Sequence, residues 1–542
     1  MRRLYLTLFN VMLLLISSHL FAANEPSLDG LTHQLTTAKL KQVPHIIEQL
    51  ETQGGERMLP LFSAMLAGEL YYRKDDSRLV HAKKMESGNF SLVDVITAET
   101  IGDVKKKTIK KVRVNNRLRT QLRSVISRLT LFSSDRDTRE AAIKNMLNAL
   151  NEGNIVLLSK AKADEEDQDL LVLIDTALSL NDLLNNAEIE VRLAALDDLS
   201  NSLEPIVKSS VEALLEKDDD GNFIESDVVL RNKAAVVAEK IEGKVGFYSF
   251  LEKLFFGLSL GSVLLLAATG LAITFGVMGV INMAHGELIM IGAYTTYVVQ
   301  LLMPNAIEYS LLVAVPAAFL VAGFVGVLIE RGVIRFLHGR PLETLLATFG
   351  ISLILQQMVR SVFSPLNRQV ETPQWMSGSL EFNAIFSITY NRLYILVFAL
   401  LVFFALQLIL KRTSLGLNVR AVSQNRNMAK AMGIRTEWVD AMTFGLGSGI
   451  AGIAGVALSQ LTNVGPNLGQ SYIIDSFMVV VFGGVGHLWG TLVAGFTLGI
   501  TNKFLEPVTG AVLANIIVLV FIILFIQKRP RGLFPQKGRA AE

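Results

Sequence analysis

The chain has 542 residues, 51% of them hydrophobic, with 51 basic and 49 acidic side chains and a net charge of +2. Nothing in that balance points to nucleic acid, and the absence of cysteine excludes disulfides, thiolate metal sites and cysteine nucleophiles. The near-neutral total conceals a division: the first 250 residues hold 32 basic and 37 acidic side chains (net −5), the remaining 292 hold 19 and 12 (net +7).

At the N-terminus, Arg2 and Arg3 precede an apolar stretch, Leu4 to Ile16, and small and polar residues follow up to Ala22 and Ala23. This reads as an export signal over residues 1–23. Phe21 or Leu20 at the −3 position makes a poor cleavage site, so an uncleaved anchor is the alternative; either sends the following segment outside.

Residues 24–246 carry one helical pattern after another and few strand signals. Three segments place an arginine just before paired alanines: Arg139 with Ala141 and Ala142, Arg192 with Ala194 and Ala195, Arg231 with Ala234 and Ala235. Small residues let paired helices approach closely, so the region reads as an exported HEAT-like helical domain, with a generic bundle as the alternative. In EKDDDGNFIESD, Glu216, Asp218, Asp220, Gly221 and Asp227 match positions of a calcium loop, but Glu at the first place and Asp at the last favour an ordinary acidic loop. The basic run from Lys105 to Arg119 reads as a solvated face or loop.

From about residue 247 the chain becomes a polytopic α-helical membrane region, with about eight to ten spans expected. Candidate spans are Gly257–Gly279, Ile281–Met303, Leu311–Ile334, Leu342–Phe363, Leu393–Leu410, Val439–Leu461, Ile473–Gly486, Leu488–Phe504 and Ala511–Ile526. The seventh and eighth are short and broken by glycine, which suits one re-entrant segment plus one span. Fourteen of the 19 basic residues crowd three segments, around Arg331 to Arg340, Lys411 to Arg435, and Lys528 to Arg539. The basic-inside rule puts these in the cytoplasm, and an odd number of crossings then puts the N-terminal domain outside.

The stretch Gly270 to Tyr294 departs from an ordinary span. Asn282, His285, Gly286 and Glu287 sit together at membrane depth, where polar groups are costly unless they face a protein interior or a watery route. Nearby glycines free the helix to break, as the backbone of a transport pathway does. A second broken segment surrounds His487, which either joins that route or bonds a neighbouring carbonyl. Gly257 and Gly261, and the series Gly445, Gly447, Gly449, Gly452 and Gly455, read as faces for close helix packing.

GVMGVINMAHGELIMIGAY, GLNVRAVSQNRNMAKAMGI, FGLGSGIAGIAG, GGVGHLWGTLVAG and KRPRGLF occur in that order. Together they resemble the permease subunits of branched-chain amino acid and amide ABC importers. Asn282-Met283 before the AHGE segment, and the long exported domain, are most similar to the urea branch. The resemblance implies a second permease subunit in a heterodimer, two cytoplasmic ATPase subunits, a periplasmic solute-binding protein and a small neutral substrate. It also implies that ATP and Mg²⁺ belong to the ATPase subunits and that this chain binds no cofactor and is no enzyme; it carries no G-x-x-x-x-G-K-[ST] loop of its own. Arg420, Gln424, Arg426, Ala429, Met432 and Gly433, in the basic loop 411–437, would then contact the ATPase through an apolar stripe. A passive urea or solute channel and a membrane-anchored helical scaffold are the rival readings from other classes. The first needs no such loop; the second leaves Glu287 and His285 unexplained.

Overall fold

A computed structural model describes residues 28–85 and 89–534. The export signal expected at 1–23 lies outside them. The chain divides into two compact units, one up to Glu242 and one from Gly243.

The first unit opens with helices α1 (Leu28–Thr37), α2 (Val43–Gly54) and α3 (Leu59–Ala67). A five-stranded antiparallel sheet follows, with β1 (Leu70–Arg73), β2 (Leu79–Lys84), β3 (Phe90–Asp94), β4 (Thr100–Val104) and β5 (Ile109–Lys111) in the order β4-β3-β2-β1-β5. The helical pattern of the sequence does not announce this sheet. Its strands are short, and β2 is rich in His and Lys, so only β3 shows clean alternation of buried and half-buried residues. The basic run is divided among a turn, the edge strand β5 and the start of α4 (Asn116–Thr130). Lysines on a strand with one open side discourage pairing with another chain.

Leu118, Leu122 and Val125 of α4 recur at helical spacing and pack with Leu31, Ile47, Phe62 and Met65 in the core of this part. Beyond it come α5 (Arg136–Leu147), α6 (Glu152–Asp164), α7 (Gln168–Asn185), α8 (Ile189–Leu199) and α9 (Pro205–Ala213). Asn115, Asp135, Asn151 and Asp167 each accept a backbone N–H at a helix start.

The three arginine–alanine segments share a geometry. In each, the alanine three positions after the arginine is buried: Ala142, Ala195 and Ala234. Each guanidinium donates to backbone carbonyls just upstream: Arg139 to Ser133 and Ser134, Arg192 to Leu183, Arg231 to Glu225 and Ser226. The arginine ties the preceding turn while the small alanine admits the neighbouring helix. In the acidic loop, Asp218 accepts the N–H groups of Asp220 and Asn222, and Asp227 accepts those of Val229 and Leu230 at the next helix start.

That helix, α10 (Val228–Met278), is 51 residues long and ends in the second unit. After it come α11 (His285–Leu302), α12 (Ile307–Gly332), α13 (Pro341–Phe363), a small hairpin of β6 (Ser379–Glu381) and β7 (Ser387–Thr389), and α14 (Tyr390–Arg412). Two short helices, α15 (Ser414–Gln424) and α16 (Arg426–Ala431), precede α17 (Thr436–Ser459), α18 (Leu468–Gly483), α19 (Leu488–Thr509) and α20 (Ala511–Lys528). Six of the described helices, α10, α12, α13, α14, α17 and α20, are long and apolar enough to cross a membrane. The second expected span starts late, at His285, because residues 279–284 form a connection, with Gly279 at φ +68°. The seventh, α18, starts earlier than expected, at Leu468.

Helix α17 runs through the centre of this unit. A Cβ placed on Gly452 would lie 2.5 Å from the Ala318 carbonyl of α12, and one on Gly455 would lie 2.6 Å from Ala293 N of α11. These glycines let three helices meet almost backbone to backbone, the close packing that lipid-embedded bundles rely on in place of a hydrophobic driving force.

Candidate functional site

The NMAHGE segment lies where α10, α11, α13 and α18 converge. Three successive residues of it are aimed at three different helices. His285 is fully buried, and its Nε2–H donates to the Ala267 carbonyl of α10 at 2.8 Å. That bond fixes the proton on Nε2 and leaves Nδ1 as an acceptor, which has no hydrogen-bond partner among the described residues. Gly286 faces α18; a Cβ there would come within 2.5 Å of the Gly469 carbonyl. Glu287 faces α13, where its Oε1 accepts from Gln356 Nε2 at 2.7 Å and from Ser352 Oγ at 2.9 Å. Its other oxygen, Oε2, is buried and has no hydrogen-bond partner among the described residues.

Asn282 is buried beside them and shapes the connection, its Oδ1 accepting the Ala284 N–H at 3.0 Å while its Nδ2 donor is unmatched. Thr348 of α13 accepts the Met283 N–H at 3.1 Å. Thr344, Thr348, Ser352 and Gln356 are all buried at intervals of four, so they form one ridge along α13. Hydrophobic residues cover the opposite side: Leu342, Leu346, Ile354 and Val362 are exposed. Polar groups therefore face the protein and apolar ones face outward.

The site is thus a closed polar node in an apolar bundle. Among the described residues it leaves one donor, Asn282 Nδ2, and two acceptors, His285 Nδ1 and Glu287 Oε2, without a partner. Each such atom is destabilising while it stays unmatched, since a buried polar group without a partner forfeits its hydration. The sequence pattern identifies Asn282, His285 and Glu287 but groups them as a single lining. The structure separates His285, held by α10, from Glu287, held by α13. The sequence pattern does not single out Ser352 and Gln356, although the four-residue spacing from Thr344 to Gln356 is the signal that marks the ridge.

His487 belongs to another environment. Its Nδ1 accepts the Gly490 N–H at 3.1 Å, so it caps α19, and its ring stacks on Phe534 at 5.5 Å between centroids. The two broken segments do meet, through Gly276 and Gly486 rather than through the histidine.

The expected ATPase-contact residues fall on the α15–α16 hairpin, where the structure divides the predicted stripe. Ala429 is buried with Val419, Val422 and Val439 inside the hairpin's own small core. Met432 and Met428 are exposed, at 77% and 62%. Gln424 is exposed as well, and Arg420 donates to the Leu410 carbonyl. Gly433, at φ +86°, lies just past the end of α16. Arg426 grips Asp440 of α17 through two guanidinium nitrogens, a bond that fastens the hairpin to the central helix.

Residues 253–526 match the family described as branched-chain amino acid transport system / permease component. Among curated proteins, the chain is similar to the high-affinity branched-chain amino acid transport system permease protein BraD of Pseudomonas aeruginosa, 31% identical over 297 residues, which are 53% of this chain and 96% of that protein. The corresponding permease protein LivH of Escherichia coli is 32% identical over 298 residues, with 53% and 96% covered. A shorter likeness joins it to the ribose import permease protein RbsC of Bacillus subtilis, 29% identical over 136 residues, 23% of this chain and 42% of that one. No solved structure matches. With its apolar helices, the match makes this a multi-pass membrane protein and a permease subunit rather than an enzyme. The chain belongs to the family of permease components of branched-chain amino acid transport systems.

Proposed function

We propose that the chain is a permease subunit of an ATP-driven importer that moves urea or a related small amide across the inner membrane. The observation that carries this reading is the polar node around Glu287, Asn282 and His285, with unmatched donor and acceptor atoms inside a glycine-packed bundle. Urea and amides present N–H donors and a carbonyl acceptor without net charge, which suits such a node. A branched-chain amino acid is the second reading, favoured by the names of BraD and LivH.

In this proposal a second permease subunit completes the route, and two cytoplasmic ATPase subunits hold ATP and Mg²⁺ and act on the α15–α16 hairpin. The exported, HEAT-like unit helps recruit a periplasmic solute-binding protein. The basic loops and tail face the cytoplasm. The test is uptake of labelled urea by the complete importer, with leucine as competitor, for the parent and for Glu287→Gln. The substitution should cut uptake at least tenfold while the subunit still assembles. Normal uptake by Glu287→Gln would show the node to be structural, and competition by leucine alone would select the second reading.

A further inference from the structure

We propose that Gln356 is an internal stand-in for the substrate at Glu287, and that passage begins when an amide N–H of the substrate displaces its side-chain carboxamide. This rests on the substrate-route reading given above and names the residue that sets the substrate class. Gln356 ends in a primary carboxamide, the group that an amide substrate also carries. It already donates to Glu287 Oε1 at 2.7 Å.

The node is shut. Glu287 is 1% exposed, Ser352 6% and Gln356 5%, so nothing reaches the carboxylate while α13 stays in place. The ridge holds α13 there through neutral hydroxyl and amide groups: Ser352 and Gln356 on Glu287, and Thr348 on the Met283 N–H. The outward side of α13 packs little within this chain, with Leu353 and Ile354 more than half exposed.

At the Glu287 carboxylate, exchange of one carboxamide for another keeps the number and type of hydrogen bonds the same, and the total balances when the freed Gln356 carboxamide takes up the bonds to water that the substrate gave up. It can therefore proceed close to balance, whereas removal of Gln356 without replacement would strand a buried carboxylate oxygen. Oε2 has no hydrogen-bond partner among the described residues and gives the incoming molecule a second acceptor. As α13 draws back, one substrate N–H takes the place of Gln356 at Oε1 and another takes Oε2. A urea-type molecule has two N–H groups that lie side by side and can span both oxygens of a carboxylate. A molecule without an N–H, such as N,N-dimethylacetamide, has nothing to offer in that exchange.

An internal competitor weakens the apparent affinity of its rival by the fraction of time it occupies the site. The test is the KM for urea and acetamide, and the Ki of N,N-dimethylacetamide as a competitor without an N–H, in the complete importer, for Gln356→Leu and for Gln356→Asn. The second variant keeps a carboxamide but is one methylene too short to reach Glu287. KM for urea and acetamide should fall by about tenfold or more in both, the bias that one charge-assisted hydrogen bond imposes. An unchanged or raised KM in whichever variants assemble would overturn the proposal. So would an equal fall in the Ki of N,N-dimethylacetamide, because that would mark Gln356 as a plain latch. A parent that carries neither urea nor acetamide would instead defeat the substrate reading itself, and the stand-in with it.

Discussion

Removing the Arg426 guanidinium is the most direct way to loosen the α15–α16 hairpin. Arg426 Nη1 reaches Asp440 Oδ1 at 3.2 Å, and Nη2 binds Oδ2. The side chain of Asp440 is 4% exposed and that of Arg426 30%, so Arg426→Ala leaves a carboxylate with almost no water. Breaking a buried pair from one side costs roughly 3–5 kcal/mol, and the partial exposure of the arginine points to the lower end, about 3 kcal/mol. The nearby Arg335–Glu437 pair, at 2.8 Å, is exposed on both sides and contributes under about 1 kcal/mol, too little to compensate. A loss of about 3 kcal/mol raises hairpin opening on the order of a hundredfold. The chain has no cysteine, so Ala429→Cys, buried in the hairpin core, gives a clean reporter. Its labelling by a thiol reagent should accelerate by about that factor in Arg426→Ala. The double variant Arg426→Met with Asp440→Leu, which replaces the pair by apolar groups, should return towards the parent rate. A labelling rate within about threefold of the parent in Arg426→Ala would refute the anchoring role.

On the exposed side of the hairpin, Met428→Glu with Met432→Glu should reduce stimulation of the ATPase by substrate and binding protein without loosening the Ala429→Cys reporter; Ala429→Asp should instead break the hairpin's own core. Gly292→Ala should lower the melting temperature of the solubilised protein, by about 1–3 kcal/mol of stability, since its Cβ would lie 2.5 Å from Gly452 Cα. Gly350→Ala on α13, with nothing within 4 Å, should be neutral or mildly stabilising. In the first unit, the Arg139 guanidinium bonds Glu165 at 2.8 and 3.0 Å and holds its carboxyl below the ordinary 4.5. That stabilisation is complete above pH 4.5 and fades as pH falls through the lowered value, so Glu165→Gln should flatten the acid limb of an unfolding profile.

Much of the membrane unit is legible in sequence because its helices are long and apolar, and because glycine series such as Gly445 to Gly455 have one main use in lipid. The polar segment around Glu287 is legible for the opposite reason, since charge is rare at that depth. Its partners are not. Threonine and serine in a membrane helix commonly bond their own backbone, so the Thr344–Gln356 ridge looks unremarkable until Glu287 is seen opposite it. Ala429 and Met432 sit three apart and read as one stripe. Only the packing of Val419 and Val439 shows that the first faces inward and the second outward. The sheet is hard to read in the sequence because its strands are three to six residues long and, apart from β3, show no clean alternation, with lysines and a histidine in β2 and β5.

Helix α13 has a consequence for how the protein is made. Its most apolar 18 residues have a mean hydropathy of 1.4, the lowest among the six membrane-length helices, and among the described residues its polar ridge bonds Glu287 and the Met283 backbone, on segments already synthesised. On leaving the insertion machinery it meets Glu287 and the Met283 backbone at once, or else it must hold Gln356 against lipid. Its entry into the bilayer is therefore conditional on the earlier helices, whereas α14, at 2.8, inserts on its own merits. A Glu287→Leu lesion, which unlike Glu287→Gln leaves Ser352 and Gln356 no oxygen to bond, would surface during biogenesis as a faltering helix whose Ser352 lies 65 residues downstream.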